Sequence, residues 1–263
     1  MVSFIDCHLS LRRCSPFNGG KFEGWGTSFC WWPNRIGYLD ELSEQAAKLF
    51  FDPKEGLGLN IIRYNIGGGD DPTHHHITRT DSMVPGYAIN PSHDANGYHW
   101  SYDWNADQNQ RNVLMKVAEC YGKDLIVEGF SNSPPYFMTN SGCSSGSVNA
   151  GENNLREDAY GAFASYLADV AQHFSKEWGI HFQSMTAMNE PDTEYWHALS
   201  DKQEGCHFDP GESQSVMIIA LREALDERGL NDILISGTDE TGIDCQINSI
   251  NSLSDVARET IAR

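Results

Sequence analysis

Met185-Thr186-Ala187-Met188-Asn189-Glu190-Pro191-Asp192 is the stretch on which the fold turns. The apolar run from Phe182 to Met188 predicts a buried strand. Asn189 and Glu190 close it, and Pro191 cannot continue a ladder because it lacks an N–H. A carboxylic acid therefore stands where a strand hands over to a loop. In parallel α/β folds, ligands bind and chemistry happens at the carboxyl ends of the strands. A Glu merely solvated at a strand end has the same local signature, so the remaining chain must decide between the two.

The same handover recurs on both sides of that stretch. Phe22 to Trp32 alternates aromatic and small residues as a first strand, with Trp31-Trp32-Pro33 as a loop. A helix from about Tyr38 to Phe50 follows, with Leu39, Leu42, Ala46, Leu49 and Phe50 as its buried stripe. Leu59 to Ile66 is a second strand, ended by Gly67-Gly68-Gly69-Asp70-Asp71. A long loop then runs to about Trp104; its Tyr, Trp, His and Asp content marks it as ordered and functional. A helix from about Ala106 to Tyr121 leads to a third strand, Asp124 to Phe130. The Gly/Ser/Asn-rich segment Thr139 to Asn153 reads as low complexity or a flexible lid. Helices from about Leu155 to Trp178 and Glu212 to Arg228 flank the central stretch. Leu230 to Gly237 gives a fifth strand, closed by Thr238-Asp239-Glu240-Thr241, and a last helical stretch ends at Arg263.

Strands alternating with helices predict a parallel sheet with right-handed crossovers. Helix-to-strand turns are short, whereas strand-to-helix loops are long, polar and aromatic. That asymmetry puts the working face at the carboxyl ends of the strands, as in barrel enzymes. A dinucleotide-binding fold is excluded because Gly24-Trp25-Gly26 lacks the third glycine in register.

Composition narrows the partners. Lys+Arg 18 against Asp+Glu 37 gives a net charge of −19, which repels phosphate backbones and anionic membranes. Nucleic-acid and membrane partners are not expected, and neutral oligo- or polysaccharides remain. Trp 7, Tyr 10 and Phe 12 supply faces for sugar rings as well as for the core. The seven cysteines include no CxxC pair, which argues against a zinc ribbon or a disulfide framework. Cys30 and Cys120 are expected as buried thiols. Met1 to Cys14 has no continuous apolar segment of a signal peptide, so a cytoplasmic protein is expected, with secretion open if the natural chain begins earlier. His74-His75-His76 lacks HExxH spacing, and neighbouring loop histidines are not expected to converge on one ion. No metal and no cofactor are expected.

Four ordered motifs carry a resemblance. They are Phe22-Glu23-Gly24-Trp25-Gly26-Thr27-Ser28; Asn60-Ile61-Ile62-Arg63 with Gly68-Gly69-Asp70; Asn132-Ser133-Pro134-Pro135-Tyr136-Phe137-Met138-Thr139-Asn140; and Asn189-Glu190-Pro191. Together they resemble glycoside hydrolase family 30, most closely its endo-β-1,6-galactanase-like branch. The resemblance implies a (β/α)8 TIM barrel with an appended β-sandwich, and a retaining hydrolase with its acid/base at the end of strand four. Glu190 matches that acid/base. Asn189 matches the neighbour that holds the sugar 2-hydroxyl, and Arg63 the strand-two arginine near the nucleophile. Asp70, Trp31, Ser131 and Asn132 fall at strand ends lining the sugar pocket. A salt bridge inside the barrel is the alternative use of Arg63.

A retaining glycosidase needs two carboxyl groups about 5 Å apart, one protonated and one nucleophilic. The resemblance puts the nucleophile at the end of strand seven, beyond the five units read here, so it is expected outside this chain. Glu240 is the only late strand-end Glu, and a structural role is expected for it. The expected organisation is an N-terminal extension over 1–21 and a partial barrel over 22–263, truncated after about five βα units. Other activities of the family (β-1,6-glucanase, xylanase, glucosylceramidase) and a non-catalytic sugar-binding remnant are the alternatives.

Overall fold

A computed structural model describes residues 22–261. The expected N-terminal extension, Cys7, Cys14 and the final two residues lie outside that range. Gly26–Ser28 (β1), Ile61–Asn65 (β2), Ile126–Phe130, Ser184–Thr186 and Leu234–Ile235 form one five-stranded sheet. Each strand pairs in parallel with the next one in chain order. Ile261 adds a further parallel bridge to Ile235, continuing the same direction. Two helices, Trp32–Ile36 (α1) and Asp40–Phe51 (α2), lead from β1 to β2. This is the wall of a (β/α) barrel, laid down unit by unit.

The long loop after β2 contains structure that the sequence reading left as loop. Ala88–Asp94 (β3) and Gly97–Tyr102 (β4) pair as an antiparallel hairpin. Asp94-Ala95-Asn96-Gly97 supplies the turn chemistry, with Gly97 at φ +106. The overlooked signal was the Asn96-Gly97 pair ahead of the aromatic-rich run Tyr98 to Tyr102. The hairpin docks on Tyr160–Glu177 (α4): the Tyr102 hydroxyl donates to Asp169 at 2.5 Å. Gln108–Tyr121 (α3) lies between β4 and Ile126–Phe130 (β5). Ser184–Thr186 (β6), Glu212–Glu227 (α5), Leu234–Ile235 (β7), Ile243–Ser252 (α6) and Asp255–Thr260 (α7) complete the chain. Trp32 and Pro33, expected in a loop, start α1, where proline suits the first helical turn.

Strand alternation sorts the two sheet faces. Ile62 and Tyr64 of β2 and Val127 of β5 are buried in the core shared with the helices. Ile61, Arg63, Ile126 and Glu128 line a cavity on the opposite, concave face with Ser28 and Ser184. Register aligns Arg63 with Ser28 and with Glu128, and Glu128 with Ser184. The glycines after β2 allow a close approach: a Cβ on Gly68 would stand 2.5 Å from the Pro134 carbonyl oxygen. The segment Thr139 to Asn153 is packed, not a flexible lid. Ser144 and Ser145 are fully buried, and Ser147 bridges His197. Cys30 and Cys120 are half-buried, while Cys143 and Cys206 are the buried thiols.

Candidate active site

β6 is shorter than the apolar run suggested. The Thr186 hydroxyl accepts the Met188 N–H at 3.3 Å, so a side chain replaces the ladder just past the strand. Glu190 therefore sits in the following loop, in the left-handed region at φ +50. That conformation costs a non-glycine residue about 1–2 kcal/mol, and strain of this kind gathers at functional sites. Four hydrogen bonds hold it. The Glu190 N–H donates to the Asp239 carbonyl at 2.9 Å. Its carbonyl accepts the Thr193 hydroxyl at 2.8 Å and the Trp196 indole N–H at 3.0 Å. The carboxylate Oε2 accepts the Tyr195 hydroxyl at 2.5 Å. Asp239, in the loop after β7, is also left-handed at φ +59, so two strained residues just past neighbouring strands are joined backbone to backbone.

Arg63 ties this corner together. Its Nη2 donates to the Asn189 side-chain oxygen at 3.1 Å and to the Asp239 carboxylate. Its Nε lies 3.5 Å from Glu128, and its guanidinium carbon sits 3.4 Å above the centre of the Phe130 ring. The salt-bridge use of Arg63 is thus realised inside the barrel. Arginine has only donors, so the Asn189 oxygen must face it and the amide NH2 is left to donate elsewhere. Glu128 is in turn held by the hydroxyls of Ser184, at 2.8 Å, and Ser236.

The remaining expected site residues fall into two neighbourhoods. Cys30 links the first: its sulfur contacts the Asn132 amide at 4.0 Å, and burial pushes its thiol up to about 11, against the pull of the Ser28 hydrogen bond and Arg63. Trp31 follows it, buried, with its indole N–H unpartnered among the described residues and the Arg79 guanidinium 4.8 Å over the ring. Ser131 is fully buried, its hydroxyl donating to the Ser133 carbonyl at 2.9 Å. The second neighbourhood surrounds Asp70. Its carboxylate meets His74 Nδ1 at 3.2 Å, His76 Nε2 at 2.8 Å and the Ser144 N–H at 3.1 Å. His74 and His76 thus come together on one carboxylate. Residues two apart in extended chain share a side, so His74 and His76 reach Asp70 while His75 is exposed.

The other carboxyls near Glu190 have defined partners. Burial raises the Asp239 carboxyl, the Arg63 charge lowers it, and Glu128 and Glu190 raise it further. Glu240 accepts the Gln214 amide at 3.0 Å, the Ser249 hydroxyl at 2.7 Å and the Asp192 N–H at 3.0 Å. Both its oxygens hold α5, α6 and the Glu190 loop together, and burial raises its carboxyl. Asp239, Tyr195 and Glu128 escaped the sequence reading. Asp239 occupies the strand-end position beside Glu240, which offered a signal. Tyr195 and Glu128 offered none beyond residue type.

The sequence matches O-glycosyl hydrolase family 30 over residues 21–249. It is 37% identical over 265 residues to an endo-β-1,6-galactanase of Hypocrea rufa, covering 94% of this chain and 52% of that protein. It is 26% identical over 344 residues to an exo-β-1,6-galactobiohydrolase of Bifidobacterium longum, covering 95% of this chain and 22% of the relative. The catalytic domain of a family 30 xylanase C from Talaromyces cellulolyticus superposes with a TM-score of 0.66 at 20% identity, covering 91% of this chain and 51% of that one. The chain spans about half the length of the first relative and of the solved domain.

Proposed function

We propose that this chain, which belongs to O-glycosyl hydrolase family 30, carries the acid/base side of a retaining hydrolase of β-1,6-linked galactan. Glu190 is the proton donor, and its fixed place at the sheet's carboxyl edge is the observation that carries the assignment. It protonates the glycosidic oxygen as the bond to the anomeric carbon breaks, then takes a proton from the water that releases the glycosyl-enzyme. Tyr195 holds one carboxylate oxygen, leaving the other to face the leaving group. The Asn189 amide, oriented by Arg63, donates to the sugar hydroxyl beside the reacting carbon. Arg63, Phe130 and Glu128 form the rigid floor.

The attacking carboxylate comes from outside the described residues. Asp239 and Glu128 are ion-paired to Arg63, and Glu240 is enclosed by three donors. The galactan preference rests on the identity with the Hypocrea rufa galactanase. The substrate is neutral, in keeping with a chain of net charge −19. The test is digestion of β-1,6-galactan, β-1,6-glucan and xylan by the intact protein, with NMR of the first-formed product. Cleavage of galactan with the β-anomer appearing first supports the reading. Initial α-anomer, or cleavage confined to xylan or glucan, overturns it.

A further inference from the structure

We propose that Asp70, His74, His76 and Cys143 form a zinc site that pins together the loops following β2, β5 and β6. One donor atom from each residue lies within 4.8 Å of every other. Donors around a tetrahedral zinc, at bond lengths of about 2.0–2.3 Å, stand about 3.3–3.8 Å apart, so a modest contraction closes the shell. Two imidazoles, a carboxylate and a thiolate are zinc's donor types, and the thiolate disfavours magnesium and calcium.

The hydrogen bonds around the cluster are those of a ligand shell. His76 Nδ1 lies 2.6 Å from the Ser200 carbonyl oxygen, which can only accept. Nδ1 therefore carries the proton, and in a neutral ring Nε2 presents a lone pair. That lone pair points at the Asp70 carboxylate, 2.8 Å away, and at the Cys143 sulfur, 3.3 Å away. A ring lone pair and a carboxylate oxygen facing each other at 2.8 Å call for a cation or a proton between them. A metal-bound histidine with its second nitrogen on a backbone carbonyl is the standard arrangement. Cys143 is held from the same side: the Leu199 N–H donates to its sulfur at 3.3 Å, and the Ser145 hydroxyl lies 3.2 Å from it. Glu204, fully buried and lining the same cavity as Asp70 and Ser144, leaves its Oε2 without a hydrogen-bond partner among the described residues.

The ligands come from two loops, and Leu199 and Ser200 of a third support them. A bound zinc thus cross-links the rim of the working face without entering the proposed chemistry at Glu190. The test uses the intact protein stripped with a chelator and titrated with Zn2+ and, separately, Co2+. One zinc per chain is expected, with a higher melting temperature. Cobalt is expected to give tetrahedral visible bands and a thiolate charge-transfer band that disappears in Cys143→Ser. The milder His74→Gln variant, at a half-buried ligand, is expected to weaken zinc at least ~10-fold. A folded, chelator-stripped protein that takes up no zinc on titration and shows no cobalt charge-transfer band overturns the proposal. Equal binding of magnesium or calcium also overturns it.

Discussion

Asp107 gives a stability prediction whose size follows from its surroundings. It is buried behind β2, where Oδ2 accepts the Tyr64 hydroxyl at 2.5 Å and the Gln110 amide at 2.7 Å, while Oδ1 has no partner among the described residues. Gln110 also clamps the end of β2, accepting the Asn65 N–H and donating to its carbonyl. The cluster therefore fixes the strand that carries Arg63. Burial pushes the Asp107 carboxyl from 3.8 up to about 7, against hydrogen bonds from Tyr64 and Gln110 that lower it. The folded state then holds a proton that the unfolded state has released, so stability falls as pH rises through that window and levels off above it. At about 1.36 kcal/mol per pH unit, the ceiling is about 4 kcal/mol. Between about pH 5 and about pH 8 the loss is about 2–3 kcal/mol. Urea unfolding followed by tryptophan fluorescence measures it. Other groups titrate in the same range, so Asp107→Asn isolates the effect by difference. The variant starts lower at about pH 5, because its amide buries two N–H donors where the protonated carboxyl buries one O–H, at a cost of about 1–3 kcal/mol. The gap then closes as pH rises. Parallel stability curves for wild type and variant would refute the reasoning.

Tyr195→Phe removes the hydroxyl donor to Glu190 from a half-exposed ring, so kcat should fall about 2–10-fold with KM nearly unchanged. Steady-state kinetics on galactan checks this, and a pure KM effect would argue for a sugar platform instead. Arg63→Lys keeps the charge but cannot span Glu128, Asp239 and Asn189 together. It should cost about 10²-fold in kcat/KM with near-native circular dichroism, and wild-type activity would contradict the role given to Asn189. Glu240→Gln should lower stability by about 1–3 kcal/mol yet keep activity within about 10-fold. Abolished turnover in a folded Glu240→Gln protein would make Glu240 the nucleophile.

Much of the barrel wall was legible because its strands are apolar runs punctuated by Gly, Pro and Asn. Pro191 alone located Glu190 beyond a strand, although the Thr186 hydroxyl ends that strand earlier than hydrophobicity suggests. Arg63 was legible as a charge inside an apolar run, but its partners were not. They come from β5 and from the loops after β6 and β7, 65 to 176 residues away, and only parallel register brings them together. The same holds for His76 and Cys143, separated by 67 residues. The hairpin of β3 and β4 was concealed by Pro91 and by a shift of register between Ile89 and Ser92, which break the alternation a strand reading depends on.

Glu190 as proton donor is tested most directly by Glu190→Ala in the intact protein, assayed on β-1,6-galactan and on an aryl β-galactoside with a strongly acidic leaving group. Loss of the proton donor should slow galactan cleavage by about 10²–10⁴-fold. The activated glycoside, whose leaving group needs no proton, should still form the glycosyl-enzyme, and added azide should restore turnover as a β-galactosyl azide. Equal loss on both substrates with no azide product, or undiminished galactan cleavage, would contradict the account.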